Sequence, residues 1–489
     1  MKPRTKRLWW VLSVGLIVLL ALWWMVSDSA QRVVRLDDGS TVRVVGITRG
    51  MQHGYTPPFW RAWLERWGWA EPYSGMQGLF ITTPEPKMFV WLQRRFPDSQ
   101  SNRKLISVRL FDHKGAYLPV EAQMPELWNS REEIFGVQLP YLPADSGPVW
   151  LEFEYVPNRN SRRRLRINPP FVSRPAPTLK PQPLPARVKT PQFEAELERL
   201  EIKQKGMTHF WGSVEHHSAS IIARLHIYED GKRTNNWTAT EEWLEDPYGN
   251  RYALWQAPPW HYPYWVYCAK LYPVGKARLS NREVWRSDWI QLRPRTDTLL
   301  NATTTQHGLT IGVQGVFLRA NQVFEVDASD PKRYRVRPAR VPLSRKLNEI
   351  LPVEIISEGR ARVRVRTKIP LLLFHLHLPP NGAYSYSSRP NELSDETRFV
   401  YEGYEIFVFL QDEQGRIYPA PVDFCEQYAP STSVLAVVRL DSVPSTVRRG
   451  RVGIAVCPPQ EIRLPIPPLS KEQVQKVWQW EPVRYQDTP

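Results

Sequence analysis

Leu244-Glu245-Asp246-Pro247-Tyr248-Gly249-Asn250-Arg251-Tyr252 is one of three stretches of this chain built to one plan. The others are Phe111-Asp112-His113-Lys114-Gly115-Ala116-Tyr117 and Leu410-Gln411-Asp412-Glu413-Gln414-Gly415-Arg416-Ile417-Tyr418. Each is an apolar strand end, then D-x-x-G, then a return strand carrying Tyr. Asp at the first turn position accepts hydrogen bonds from the backbone ahead of it. Gly three residues later takes the positive φ that closes a hairpin with a bulge. One such turn is commonplace. Three, at similar places in segments of similar length, point to a repeated β domain.

The totals agree with that reading. A chain of 489 residues suits about three domains. Charged residues are 23% and the hydrophobic set 42%, enough apolar material for packed cores. Pro occurs 46 times, which disfavours long helices and favours strands, edges and linkers. The net charge of +16 attracts anionic lipid head groups, acidic polymers or nucleic acid without selecting among them. The three cysteines, Cys268, Cys425 and Cys457, lack metal-type spacing, so no zinc site is expected. Cys425 and Cys457 carry two readings, a disulfide in an oxidising compartment or two buried thiols. Cys268 lies in an aromatic strand and reads as core.

Lys2, Arg4, Lys6 and Arg7 precede an apolar run over residues 8–26, broken by Ser13 and Gly15. Nineteen helical residues span about 28 Å, close to the hydrocarbon thickness of a bilayer. Trp9-Trp10 and Trp23-Trp24 fall where aromatic belts lie. A cleavable signal peptide is the rival reading, but Ser27-Asp28-Ser29 fits a cleavage site poorly. The expectation is an uncleaved single-pass anchor at the cell membrane. The positive-inside rule puts residues 1–7 in the cytoplasm and the bulk of the chain outside it.

Val33-Val34-Arg35-Leu36 and Val42-Arg43-Val44-Val45 flank Asp37-Asp38-Gly39-Ser40, a hairpin signal. The return strand runs on through Gly46-Ile47-Thr48-Arg49-Gly50-Met51-Gln52-His53. This stretch, with the D-x-x-G-N turn at Asp246 and the D-x-x-G-R turn at Asp412, resembles a group of uncharacterised bacterial single-pass membrane-anchored proteins. In these a strand ends in T-x-G-x-x-H and tandem β-sandwich segments follow. The resemblance implies the anchor and the sandwiches; it implies no activity, since none is known for that group.

Several residues invite a functional reading beside a plainer one. His53 is a ligand or base, or it caps a loop. Trp60, Trp63, Leu64 and Trp67 follow helical spacing, with Arg61, Glu65 and Arg66 on the other face. Their indoles pack onto a sandwich, or lie at a membrane surface near the anchor; we expect the packing. Trp255, Trp260, Tyr262, Tyr264 and Trp265 form the richest aromatic segment, either a stacking surface for sugars or Pro-rich peptides, or core. Arg360, Arg362, Arg364, Arg366 and Lys368 alternate along one strand face about 7 Å apart. They form a docking stripe for an anionic polymer or head groups, or a solvated face crossed by acids such as Glu354. His375 and His377 share a strand face, but no third metal ligand stands in view.

The fold expected is all-β: a basic segment (1–7), a transmembrane helix (8–26) and three immunoglobulin-like β-sandwich domains (31–175, 191–297, 300–468). A Pro-rich linker (176–190) and a C-terminal helix and tail (469–489) complete it, the helix starting at a Ser470/Gln473 capping box. Neither G-x-S-x-G, H-E-x-x-H nor a P-loop occurs, and no paired-carboxylate motif stands out. The expected function is therefore non-catalytic binding or scaffolding at the cell envelope, without a cofactor. The alternatives are an envelope glycan or peptide hydrolase assembled from distant residues, and a structural component of a surface or secretion assembly. Expected partners are the membrane, through the anchor, and an anionic envelope polymer or lipid head groups. No nucleic acid is expected, and the sequence names no protein partner.

Overall fold

The three D-x-x-G turns are built alike in the computed structural model. In each, Oδ1 of the Asp accepts two backbone N–H groups: Lys114 and Ala116, Tyr248 and Asn250, Gln414 and Arg416, all at 2.8–3.0 Å. The glycines Gly115, Gly249 and Gly415 have φ of 79°, 81° and 80°, a region open to glycine at little steric cost. The structure describes residues 33–74, 81–97, 106–122, 127–155, 162–168, 172–203, 208–211, 214–217, 219–279, 284–295, 298–327, 353–358, 362–379, 382–387, 398–420, 422–428, 431–477 and 481–482. The expected anchor, 8–26, lies outside them. Among the described residues no helix is long and apolar enough to cross a membrane.

The described chain is all-β, with two short α-helices, α1 (Phe59–Arg66) and α2 (Lys471–Val477). It divides into two compact units, residues 1–226, 242–268 and 463–489, and residues 227–241 and 269–462. Residues of the expected second sandwich, 191–297, fall in both.

The first unit contains a β-sandwich. Its strands are β1 (Val33–Arg35), β2 (Thr41–His53), β3 (Ile81–Arg95), β4 (Ile106–Phe111), β5 (Tyr117–Leu118), β6 (Glu121–Ala122), β7 (Leu127–Trp128), β8 (Glu132–Leu139), β9 (Val149–Tyr155) and β10 (Arg162–Ile167). One sheet has the order β1-β2-β3-β8-β6, with β7 also on β8; the other is β10-β9-β4-β5. Neighbours run antiparallel. Val42, Val90, Leu92 and Val137 of the first sheet meet Leu110, Leu118, Leu151 and Phe153 of the second in one core. Alternation puts Phe89, Trp91 and Ile134 on the opposite face of the first sheet, where Tyr73 and Leu127 cover them.

The T-x-G-x-x-H stretch ends β2. A register shift separates Gly50 and Gln52, and Gly50 has φ 113°. This kink brings His53 Nδ1 to 3.1 Å from Thr48 Oγ1, which also accepts the Trp91 indole N–H at 3.0 Å. His53 is buried against the Phe89 ring, 4.3 Å between centroids. Burial holds its pKa below the usual imidazole value.

In the same unit Ala186–Lys189 pairs with Glu194–Lys203, the second a strand despite its Glu/Leu content. Helix α2 starts at the expected capping box, with Gln473 N–H donating to Ser470 Oγ at 3.3 Å.

The second unit contains another sandwich. Its first sheet orders Trp285–Arg286, Arg449–Cys457, Tyr404–Asp412, Arg398–Tyr401 and Tyr384–Ser387. Its second orders Thr298–Gln306, Leu309–Leu318, Leu371–Leu378, Ser431–Arg439 and Val422–Tyr428. Ile406, Val408, Ile454 and Val456 of one meet Ile311, Val313, Phe374 and Leu376 of the other. A three-stranded sheet places Arg362–Thr367 between Val323–Asp327 and Val353–Glu358.

Helix α1 overturns an expectation. Its indoles do not pack onto the sandwich. Phe59, Trp60, Trp63 and, just past its end, Trp67 and Trp69 are 48–89% exposed, and the residue it buries is Arg61. The reason is electrostatic. Glu132, buried at the start of β8, draws the guanidinium inward. A buried carboxylate without a partner costs more than exposed apolar surface.

Candidate functional site

The first D-x-x-G turn departs from the other two in one atom's partner. The second carboxylate oxygen of Asp246 accepts the hydroxyl of Tyr252, and that of Asp412 the hydroxyl of Tyr418, both at 3.0 Å and both six residues on. Six residues after Asp112 stands Leu118, which is buried in the sandwich core. Tyr117, one residue short, points elsewhere and accepts a bond from Gln256 Nε2 at 3.2 Å. Asp112 Oδ2 instead meets His261 Nε2 at 3.1 Å.

His261 sits in the Pro258-Pro259-Trp260-His261-Tyr262-Pro263 loop of the aromatic segment. That loop is tied internally by Tyr262 N–H to Pro259 O at 3.2 Å and by the Trp265 indole N–H to Pro259 O at 3.1 Å. Asn250 anchors the second turn nearby. Its side chain donates to Tyr141 O and accepts from Tyr141 N–H, both at 2.8 Å. Burial pushes the Asp246 carboxyl up to about 6, against the pull of its hydrogen bonds.

Together these contacts frame a cleft of about 260 Å³ within the first unit, lined by Asp112, Lys114, Asp145, Ser146, Tyr248 and His261, among others. Tyr248 and Tyr262 meet edge to face at 5.3 Å along its wall. The mouth carries the exposed carboxylate of Asp145. Ser146 Oγ donates to Pro143 O at 2.6 Å. His261 Nδ1 is buried without a hydrogen-bond partner. The cleft thus offers aromatic walls with carboxylate, hydroxyl and ammonium groups, the mixture that holds hydroxyl-rich ligands.

The residues singled out from sequence are placed as follows. Tyr262, Tyr264 and Trp265 are buried, while Trp255 and Trp260 are half-buried. Tyr264 donates to Pro177 O, and Lys471 lies over the Trp260 ring at 5.4 Å. The segment therefore turns mostly inward, and its His261–Tyr262–Pro263 corner reaches the cleft. On the basic strand, Arg360 lies outside the described residues, as do the side chains of Arg362 and Arg364. Arg366 and Lys368 are exposed. The register sets Asp327 opposite Arg362, Glu325 opposite Arg364 and Glu354 opposite Arg366, and Arg366 pairs with Glu354 at 3.5 Å. Cys457 is buried, its Sγ 3.8 Å from Arg278 O; the side chain of Cys425 lies outside the described residues. His375 and His377 stack edge to face at 4.3 Å, and His377 Nε2 lies 3.2 Å from Gln314 Oε1. Among the described residues no His, Cys, Asp and Glu group could hold a metal ion.

From sequence Asp112 reads only as a turn residue and His261 only as a member of the aromatic segment; Asp145 and Ser146 are not singled out. One signal was available: Leu118 where the repeat has Tyr. No family model matches the chain, and no curated protein does.

Proposed function

We propose that this chain is a membrane-anchored, extracytoplasmic binding or scaffolding protein of the cell envelope. In this reading its sandwiches are immunoglobulin-like, and its Asp112–His261 cleft takes a sugar unit of an envelope polymer. The observation that carries the reading is the cleft itself. It opens where the repeated turn has traded its own tyrosine for a histidine from another segment. Its volume suits one or two sugar rings rather than a large apolar cofactor.

The histidine and serine of the cleft are not set up for base-assisted nucleophilic attack. A general base needs a nitrogen that can reach substrate. His261 has Nε2 committed to Asp112 and Nδ1 buried, and the Ser146 hydroxyl is spent on Pro143 O.

Titration of the full chain in nanodiscs with N-acetylglucosamine and glucose oligomers tests this, read by calorimetry. Saturable binding is expected. Asp145→Ala and Tyr248→Ala should each weaken it by about tenfold, the worth of one charge-assisted hydrogen bond or one aromatic contact. No saturable heat from any oligomer at millimolar concentration would overturn the sugar assignment.

A further inference from the structure

The outward face of α1 is a feature the cleft leaves unexplained. Phe59 is 89% exposed, Trp69 71%, Trp67 62%, Trp63 52% and Trp60 48%. Monomeric soluble proteins seldom leave such a contiguous aromatic surface uncovered. The face is also rigidly presented. Arg61 reaches under the helix to Glu132, lies 3.8 Å from the centre of the Tyr73 ring and donates to Glu71 O at 3.3 Å. Gly68, at φ 70°, ends the helix, and the following turn folds Trp69 back to 5.5 Å from Trp63. The indoles thus support one another rather than the core.

We propose that this face seats on the lipid surface of the membrane that holds the anchor, with its indoles at the head-group level. The proposal rests on the anchored reading. Indoles, apolar in body and polar at the N–H, favour that layer over both water and hydrocarbon. Arg66, the exposed charge of α1, and Arg49 on the strand leading to it suit anionic head groups; Glu65 is tied to Arg61 at 3.1 Å. The same strand exposes Ile47 and Met51.

Chain direction agrees. Val33 pairs with Arg43 and Arg35 with Thr41, so the N-terminal end of β1 points toward the end of β2 that feeds α1. Six residues, 27–32, separate the apolar run from β1, a reach of about 20 Å. Arg43 to His53 covers about 33 Å of strand. The N-terminal end of β1 and the helix therefore lie toward the same end of the sheet. Trp23-Trp24 would mark the same depth in the bilayer.

The test uses the full chain in nanodiscs of phosphatidylcholine and phosphatidylglycerol, with and without bromine on the upper acyl chain. A bimane label is placed at Ala62→Cys, on the exposed side of α1, or, as a control, at Asp37→Cys, exposed in the β1–β2 turn at the opposite end of β2. The parent chain, taken through the same labelling, is the blank. Brominated lipid should cut emission at position 62 roughly in half and leave position 37 unchanged, as for a group at the acyl boundary. Replacing Trp60, Trp63 and Trp67 by Ser should abolish the quenching without lowering the unfolding temperature. Equal emission at position 62 in both lipids would overturn the proposal. So would energy transfer between labelled copies in place of quenching, which would make a second chain the occupant. Alkaline carbonate extraction, read separately, reports on the tether, so loss of the anchor is distinguishable from an undocked helix.

Discussion

Arg61 and Trp63 stand two positions apart on α1 and face opposite ways. Arg61→Met leaves Glu132 buried with Arg95 at 3.3 Å as its remaining cation, and should cost about 3–5 kcal/mol. Trp63→Ser, on the open face, should change stability by no more than about 0.5 kcal/mol. Urea unfolding of the two variants checks this; the reverse ranking would mean the helix is turned over. The half-buried His375 gives a pH signature. Burial, and then the neighbouring His377, bring His375 down to about 3 from 6.5. Its folded value is the lower, so its contribution is complete above 6.5 and is lost as pH falls toward about 3. The slope per group is at most about 1.4 kcal/mol per pH unit. His375→Gln should flatten that acid limb in urea midpoints taken at successive pH values.

At the scale of elements, the turns test the repeat. Gly115, Gly249 and Gly415 each hold φ near 80°, and Ala at any of them should cost about 1 kcal/mol. Tyr252→Phe strips a hydroxyl from the buried Asp246 and should cost about 1–3 kcal/mol. Tyr418→Phe, at a more open site, should cost less in the same thermal unfolding assay. The turns were legible in sequence because everything that makes them lies within five residues. The partner of Asp112 was not, since only the fold brings His261 to it. For α1 the spacing of Trp60, Trp63 and Trp67 gave a helix with two faces. Which face turned inward depended on Glu132, far away in the chain, so the simple rule of apolar inside failed there. The strand at Glu194–Lys203 shows the converse: helix-prone residues extended by pairing with Ala186–Lys189.

At the scale of the whole molecule, the all-β class and the antiparallel sheets follow from period-two strands, abundant proline and glycine turns. The charge of +16 should make any attachment to anionic vesicles weaken as salt shortens the Debye length from about 10 Å at 0.1 M to about 3 Å at 1 M. An indole-driven part should persist, and vesicle flotation at both salts separates the two. Location is the claim under all of this. A membrane-impermeant amine reagent applied to intact cells, followed by mass spectrometry of exposed lysines such as Lys114 and Lys232, tests it most directly. Modification in intact cells, equal to that after lysis, is the predicted result; modification after lysis alone would contradict the account.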